Sequence, residues 1–184
     1  PKADIIIPVP DSAIPAALGY SQQSKIPIDH ALVKTRYIHR TFIKPSVKQR
    51  TSDVRMKLNL IESVVKNKSV ILIDDSIVRG DTAPTLVEMC MWAGAKKVHM
   101  RIASPSIKHP CHWGIAMPTY EELLANRIPS LKEREKYLGV TSLAYLSLDG
   151  LIKATGISKD KLCTHCFDRK GPPINGRGAV PLRE

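Results

Sequence analysis

Val70-Ile71-Leu72-Ile73-Asp74-Asp75-Ser76-Ile77-Val78-Arg79-Gly80-Asp81-Thr82 decides the fold of this chain. The unbroken aliphatic run at its start is too short for a helix and reads as a strand buried on both faces, the kind that parallel sheets use. Asp74 to Ser76 supply turn chemistry, and from Thr82 to Ala93 the apolar residues recur at helical spacing until Gly94 offers a stop. Lys97 to Ala103 then reads as the next strand. Strand, helix, strand at this spacing favours a right-handed parallel crossover. The same grammar occurs earlier, where Asp4 to Val9 is a strand, Pro10-Asp11-Ser12 a turn, and Ala13 to Tyr20 a helix. The fold class is therefore α/β.

Working outward, Lys34 to Lys57 is dense in Lys and Arg, is broken by Pro45 and has no apolar period, so it reads as a long basic loop. Loops of that length in compact domains are commonly lids or binding loops, and a solvated charged excursion is the plainer alternative. Thr119 to Ala125 and Leu131 to Leu138 read as helices, Leu143 to Leu146 as a short strand, and Asp149 to Ala154 as a further helix. From Asp168 the composition turns to Gly and Pro, which predicts a mobile tail.

The chain has 184 residues, 43% of them hydrophobic and 24% charged, enough to bury one substantial core. No run approaches the ~20 apolar residues of a membrane helix, so no membrane partner is expected. Pro1-Lys2-Ala3-Asp4 leads straight into a strand with no leader before it, which reads as a piece of a longer polypeptide. The four cysteines, Cys90, Cys111, Cys163 and Cys166, are too irregular for a secreted disulfide framework. A cytoplasmic or organelle interior is expected. The net charge of +11 points to an anionic ligand or partner without choosing between phosphate-rich small molecules and nucleic acid.

The chemistry concentrates in the opening stretch. A parallel strand delivers Asp74 and Asp75 at its carboxyl end, where open α/β sheets bind ligands. The loop after them runs into a helix N-terminus, whose free amides make a natural phosphate site. Carboxylates beside a phosphate cradle suit a sugar phosphate: the acids accept from ribose hydroxyls while Ser76, Thr82 and the amides of Ile77, Val78, Arg79 and Gly80 hold the phosphate. An isolated Asp-Asp would more simply be a strand end followed by a turn.

The full stretch Val70 to Thr82 resembles the PRPP-binding signature of the type I phosphoribosyltransferases, and its wording is similar to that of the glutamine phosphoribosylpyrophosphate amidotransferases. The likeness extends in order along the chain. Pro8 to Ser12 with Ile14 to Tyr20 is similar to the family's pyrophosphate loop and following helix, and Lys34 to Pro45 with Lys57-Leu58-Asn59 to its lid. Ser104-Pro105, Pro110 to Ile115, Pro118-Thr119, Glu122-Leu123, Ser142 to Ser147 and Cys163 to Phe167 continue it, so that it covers roughly residues 3 to 167. Asp81 stands where many members have Thr, His39 replaces a Gly and Thr35 an Asn in the lid wording, Ala13 replaces a Gly and Ala116 an Asp.

The resemblance implies a type I phosphoribosyltransferase fold: a Rossmann-like parallel sheet flanked by helices, with a flexible lid loop. It implies a phosphoribosyltransferase domain over residues 1–155, a cysteine-containing segment and tail over 156–184, and an N-terminal glutaminase domain outside this chain. The activity implied is displacement of diphosphate from PRPP by ammonia, giving phosphoribosylamine for purine biosynthesis, with ammonia delivered by the glutaminase domain. The isolated chain would then depend on free ammonia. Asp74 and Asp75 would contact the ribose hydroxyls and a Mg²⁺ held by PRPP, Ser76 to Gly80 with Thr82 would hold the 5-phosphate, and Asp11 and Ser12 would sit in the pyrophosphate loop. Lys34 and Arg36 would bind substrate, while Tyr37, Arg40 and Lys57 would carry the catalytic closure, with Phe42 and Ile43 helping Tyr37 wall an ammonia path. In a subset of the family cysteines placed as Cys111, Cys163 and Cys166 ligate an iron-sulfur cluster, with a fourth cysteine elsewhere. A homo-oligomeric full-length protein and no nucleic-acid partner are further implications.

Taken by spacing alone, Cys163-x-x-Cys166 is compatible with a cluster, with a Cys/His zinc site drawing on His109, His112 or His165, or with free thiols. Cys90 lies beside Met89 and Met91 on an apolar helix face and reads as a core residue. Two other functions compete with the amidotransferase reading. A salvage enzyme joining a nucleobase to PRPP would need a base-recognition element, and none is evident. A PRPP-binding regulator with nucleic-acid affinity would need its cations on one face, whereas many of them cluster in the lid.

Overall fold

The computed structural model describes residues 1–35, 58–111 and 119–170. Strands β1 (Ile5–Pro8), β4 (Ser69–Asp74), β5 (Lys97–Ile102) and β6 (Ser142–Tyr145) form one parallel sheet in the order β1-β4-β5-β6. β2 (Leu32–Lys34) and β3 (Leu58–Leu60) form a separate antiparallel ribbon. The helices are α1 (Ile14–Ser24), α2 (Glu62–Val65), α3 (Thr82–Trp92), α4 (Leu124–Arg127), α5 (Leu131–Leu138), α6 (Leu148–Thr155) and α7 (His165–Asp168). Among the described residues no helix is long and apolar enough to cross a membrane.

The aliphatic runs explain the sheet. Ile5, Ile6 and Ile7 lie beside Val70, Ile71 and Leu72 in register, and all six are buried. A strand covered on both faces has no use for polar alternation, which is why both runs are continuous. Each such side chain contributes about 1.5–3 kcal/mol when fully buried. In α3 the buried apolar residues Ala83, Leu86, Val87 and Cys90 recur at the spacing of one helix face, with Thr85 buried beside them. Cys90 is fully buried among them, and burial pushes its thiol up to about 12. The chain leaves this helix through Gly94 at φ +83°, a left-handed conformation that glycine adopts without strain.

Several elements differ from the sequence expectation. The helix predicted over Thr119 to Ala125 is a 3-10 turn at Tyr120–Glu122 followed by α4. Leu123 between them is extended, at φ −69° and ψ 123°. Leu123 and Leu124 are both buried; neighbours on one helix point about 100° apart, so a break lets both reach the interior. Lys34, expected at the start of a loop, ends β2 opposite Leu58, so the basic segment leaves from a two-stranded ribbon. Residues 36–57 of that segment, with Arg36, Tyr37, Arg40, Phe42, Ile43 and Lys57, lie outside the described residues, as does 171–184 of the predicted tail. Asp168, where that tail was to begin, closes α7 instead: the Thr164 hydroxyl donates to its Oδ1 at 2.8 Å.

Candidate active site

The sheet has one reversal of direction. Residues 26–29 run along the outer edge of β1, where the Ile6 amide donates to the Pro27 carbonyl at 2.8 Å and the Asp29 amide to Ile6 at 3.0 Å. The chain then returns on the opposite side of β1 as β4. Connections that leave a sheet in opposite senses open a crevice outside its carboxyl ends, and here it lies past β1 and β4.

Most of the described residues singled out by sequence meet at this end of the sheet. Asp11 and Ser12 follow β1, whose trailing Val9 amide donates to Ile73 of β4 at 2.8 Å. Lys34 reaches in from the ribbon, its Nζ 2.9 Å from Asp11 Oδ2. Asp74 closes β4; its Oδ1 accepts from the Asp75 amide at 2.9 Å, and Asp75 Oδ1 accepts from the Ser76 hydroxyl at 2.9 Å. Desolvation, and next the charge of Asp75, raise Asp74 to about 7, partly opposed by that amide hydrogen bond. Among the described residues neither carboxylate is in an ion pair. Two adjacent acids, one desolvated and neither paired with a cation among the described residues, form a polar end that favours hydroxyl donors or a hard cation.

Beyond them the loop is held from outside. Val78 carbonyl accepts from the Leu124 amide at 2.8 Å, and Arg79 carbonyl from Arg127 Nη2 at 3.2 Å. Arg79 Nε lies 3.5 Å from Glu122 Oε1. Gly80, at φ +80°, is so close to Leu124 that a Cβ would stand 2.9 Å from Leu124 Cδ2. A trans peptide points its N–H opposite its C=O, so the Arg79 and Gly80 amides face away from these contacts. The amides of Ile77, Val78, Arg79 and Gly80 donate to no acceptor among the described residues. Free amides in succession leading into an 11-residue helix form a cradle for an anion.

The comparisons with known proteins bear directly on this arrangement. Amidophosphoribosyltransferase of Methanothermobacter thermautotrophicus is 48% identical over 171 residues, 93% of this chain and 36% of its own length. That of Mycobacterium tuberculosis is 44% identical over 175 residues, again 93% of this chain and 33% of its own. The solved structure of glutamine phosphoribosylpyrophosphate amidotransferase from B. subtilis, complexed with ADP and GMP, superposes with a TM-score of 0.81 at 43% identity. It covers 98% of this chain and 41% of that one. The chain is homologous to part of the amidophosphoribosyltransferases. It spans about a third of the length of the curated relatives it matches, and its fold is the type I phosphoribosyltransferase fold expected from the signature. No family model matches the chain.

Residues 122–127 form a strap that holds this loop, and the segments carrying the cysteines implied by the amidophosphoribosyltransferase likeness lie on its far side. The Cys166 carbonyl accepts from the Lys108 and His109 amides at 2.8 and 3.1 Å, which brings α7 against the segment carrying Cys111. Cys166 is pushed up to about 11, mainly by burial, and further by Cys111 and to a lesser degree by Cys163. The thiols are thus electrostatic neighbours. Among the described residues, however, no group of three or more His, Cys, Asp or Glu side chains is gathered closely enough to hold a metal ion. Cys90 stands apart in the core.

Sequence reasoning missed the strap itself. Glu122, Leu124 and Arg127 are more than forty residues from the loop they hold, and no local pattern announces such a contact. The Lys34–Asp11 ion pair was hidden in the same way, although both residues were singled out separately. Gly80 was the one local hint, since a glycine between Arg79 and Asp81 before a helix marks a turn that needs positive φ.

Proposed function

We propose that this chain displaces diphosphate from PRPP with ammonia, forming 5-phosphoribosylamine, the first product of purine synthesis. The observation that carries the reading is the pairing, at the reversal of a parallel sheet, of an Asp74–Asp75 pair with a loop of amides from Ile77 to Gly80, the carboxylates in no ion pair and the amides donating to no acceptor among the described residues. The amides, with the Ser76 and Thr82 hydroxyls, hold the 5-phosphate, and the carboxylates orient the ribose through its hydroxyls. In the reaction the ribose C1–O bond to diphosphate breaks and a C1–N bond to ammonia forms. Diphosphate carries away the electron pair, and the ammonium intermediate loses a proton to solvent.

Diphosphate departure develops negative charge, which fixed cations stabilise. Lys34 stands beside Asp11 at the crevice and is available for that role, and Arg36, Tyr37, Arg40 and Lys57 are proposed to complete it when the basic segment covers PRPP. Exclusion of water protects the electron-poor C1 from hydrolysis. The donor set at Asp74 and Asp75 fits Mg²⁺, which takes one or two carboxylates and fills the remaining positions with phosphate oxygens and water. Asp74 and Asp75 would hold the ion, and when bound it would supply neutralising charge for the leaving diphosphate.

For Cys111, Cys163 and Cys166 an iron-sulfur cluster is the group implied by the family. Neighbouring thiols support it, whereas the described donor set is incomplete for four-thiolate ligation, and no step of the reaction passes through it.

The test is PRPP-dependent diphosphate release by the 184-residue chain with Mg²⁺, supplied with ammonia or with glutamine, beside an Asp74→Asn/Asp75→Asn variant. Release with ammonia, absent with glutamine and at least about a hundredfold lower in the variant, is expected for loss of charge at a reacting centre. No release and no PRPP binding by the unaltered chain would overturn the reading.

A further inference from the structure

The strap behind the phosphate loop is tied to the cysteine-bearing segment by two side chains among the described residues, Asn126 and Tyr120. Asn126, in α4, donates from Nδ2 to the Lys108 carbonyl at 2.9 Å and to the Tyr120 carbonyl at 3.0 Å. Lys108 and His109 are in turn fastened by their amides to the Cys166 carbonyl. On the other side, the residues flanking Asn126 in the same short helix grip the loop: Leu124 through Val78, and Arg127 through Arg79. Tyr120, the second acceptor, meets the same distant segment, its hydroxyl 3.2 Å from Arg169 Nη2 and its ring edge-on to His109 at 5.7 Å. A four-residue helix is too short to hold its own shape in water. Its position must come from these tertiary contacts.

We propose that Asn126 is a positioning residue for the phosphate loop, joining the loop's strap to the segment 108–111 and, through it, to α7. The proposal rests on the phosphate-binding reading of that loop. Asn126 never meets the substrate; it sets where Leu124 and Arg127 stand, and so how the Val78 and Arg79 carbonyls are turned and where the adjoining amides point. A carbonyl released by the strap could rotate toward the anion and replace an attraction with a repulsion. The Asn126 amide serves two carbonyl acceptors, so a carboxylate in its place would lose both bonds and repel both oxygens.

The test uses the full 184-residue chain with Asn126→Ala and Asn126→Asp. Hydrogen exchange is followed in the unliganded protein at the Leu124 amide, at Lys108 and His109, and at Leu72 in the central strand as a control. Titration calorimetry with PRPP and Mg²⁺ and ammonia-dependent turnover complete it. Both variants should exchange about tenfold faster at Leu124 and Lys108 with Leu72 unchanged, the scale of one or two lost hydrogen bonds. PRPP should bind about tenfold more weakly, while turnover at saturating PRPP stays within about twofold, because bound substrate restores the loop. Faster exchange at Lys108 with Leu124 unaffected would overturn the coupling, as would unchanged PRPP affinity. If the Asn126 variants fail to fold, Arg127→Met cuts the last link, along with the Arg127 contact to the Tyr137 hydroxyl, and Tyr137→Phe beside it controls for that second loss: PRPP affinity should fall in Arg127→Met but not in Tyr137→Phe, with Lys108 exchange unchanged, and unchanged affinity in Arg127→Met would refute the strap. Absence of PRPP binding by the unaltered chain would count against the functional reading, and the exchange measurement would still decide the coupling.

Discussion

Gly80→Ala puts a number on how tightly the phosphate loop is built. Two costs arise. Gly80 sits at φ +80°, and an L-residue forced into the left-handed region costs about 1–2 kcal/mol. The added Cβ would also stand 2.9 Å from Leu124 Cδ2 and 3.2 Å from Cδ1. Those are the ends of a flexible side chain, but Leu124 is only 1% exposed and has little room to retreat, so overpacking adds about 1–3 kcal/mol. If the variant loop relaxes out of this shape when free and must return to it to bind, the smallest combination, about 2 kcal/mol, already weakens PRPP binding roughly thirtyfold. The measurement is titration calorimetry with PRPP and Mg²⁺, accompanied by thermal melting. A cycle with Leu124→Ala separates the terms: that change removes the steric partner but leaves the backbone cost. The loss from Gly80→Ala should shrink by about 1 kcal/mol or more in the Leu124→Ala background, and a remainder of about 1–2 kcal/mol should persist. Equal affinity for the Gly80→Ala and unaltered chains would refute the claim that this loop binds in the conformation described.

Other residues give separate checks. Lys34→Ala should leave the melting temperature nearly unchanged, because its pair with Asp11 is solvent-exposed and such pairs contribute about 0–1 kcal/mol, yet calorimetry should register weaker binding of PRPP; unchanged affinity would remove Lys34 from the site. His99 is buried, with Nδ1 2.8 Å from Ser142 Oγ and Nε2 without a hydrogen-bond partner among the described residues, and its pKa is lowered by desolvation, then by Arg101, the chain's amino terminus and Lys97. The unfolded chain therefore takes up a proton more readily than the native one. The stability this residue contributes should be complete above about pH 6.5 and lost as pH falls through the native pKa, so melting scans should slope less with pH in His99→Gln. Iodoacetamide at neutral pH should modify Cys163, which is exposed, before Cys166, and Cys90 last, since burial raises the latter two thiols to about 11 and 12; peptide mass spectrometry that finds Cys90 labelled first would contradict the packing of α3.

The sequence by itself determined the α/β class, because continuous aliphatic runs at Ile5 and Val70 have no stable home except a covered parallel sheet. It also determined where chemistry concentrates, since Asp74, Asp75 and the loop to Thr82 are contiguous and their turn, cradle and helix start are local features. The cysteine of α3 was legible as core from helical spacing alone. Tertiary structure decided what depends on distance along the chain. The return of β4 beside β1 brings Asp11 to the same crevice as Asp74, and the ribbon sets Lys34 against it. The break at Leu123 that buries two adjacent leucines, and the grip of Leu124 and Arg127 on Val78 and Arg79, arise only once the core exists. A backbone carbonyl accepts from any donor that packing brings to it and leaves no mark in the side-chain pattern, which is why the support behind the phosphate loop could be read only from the folded chain.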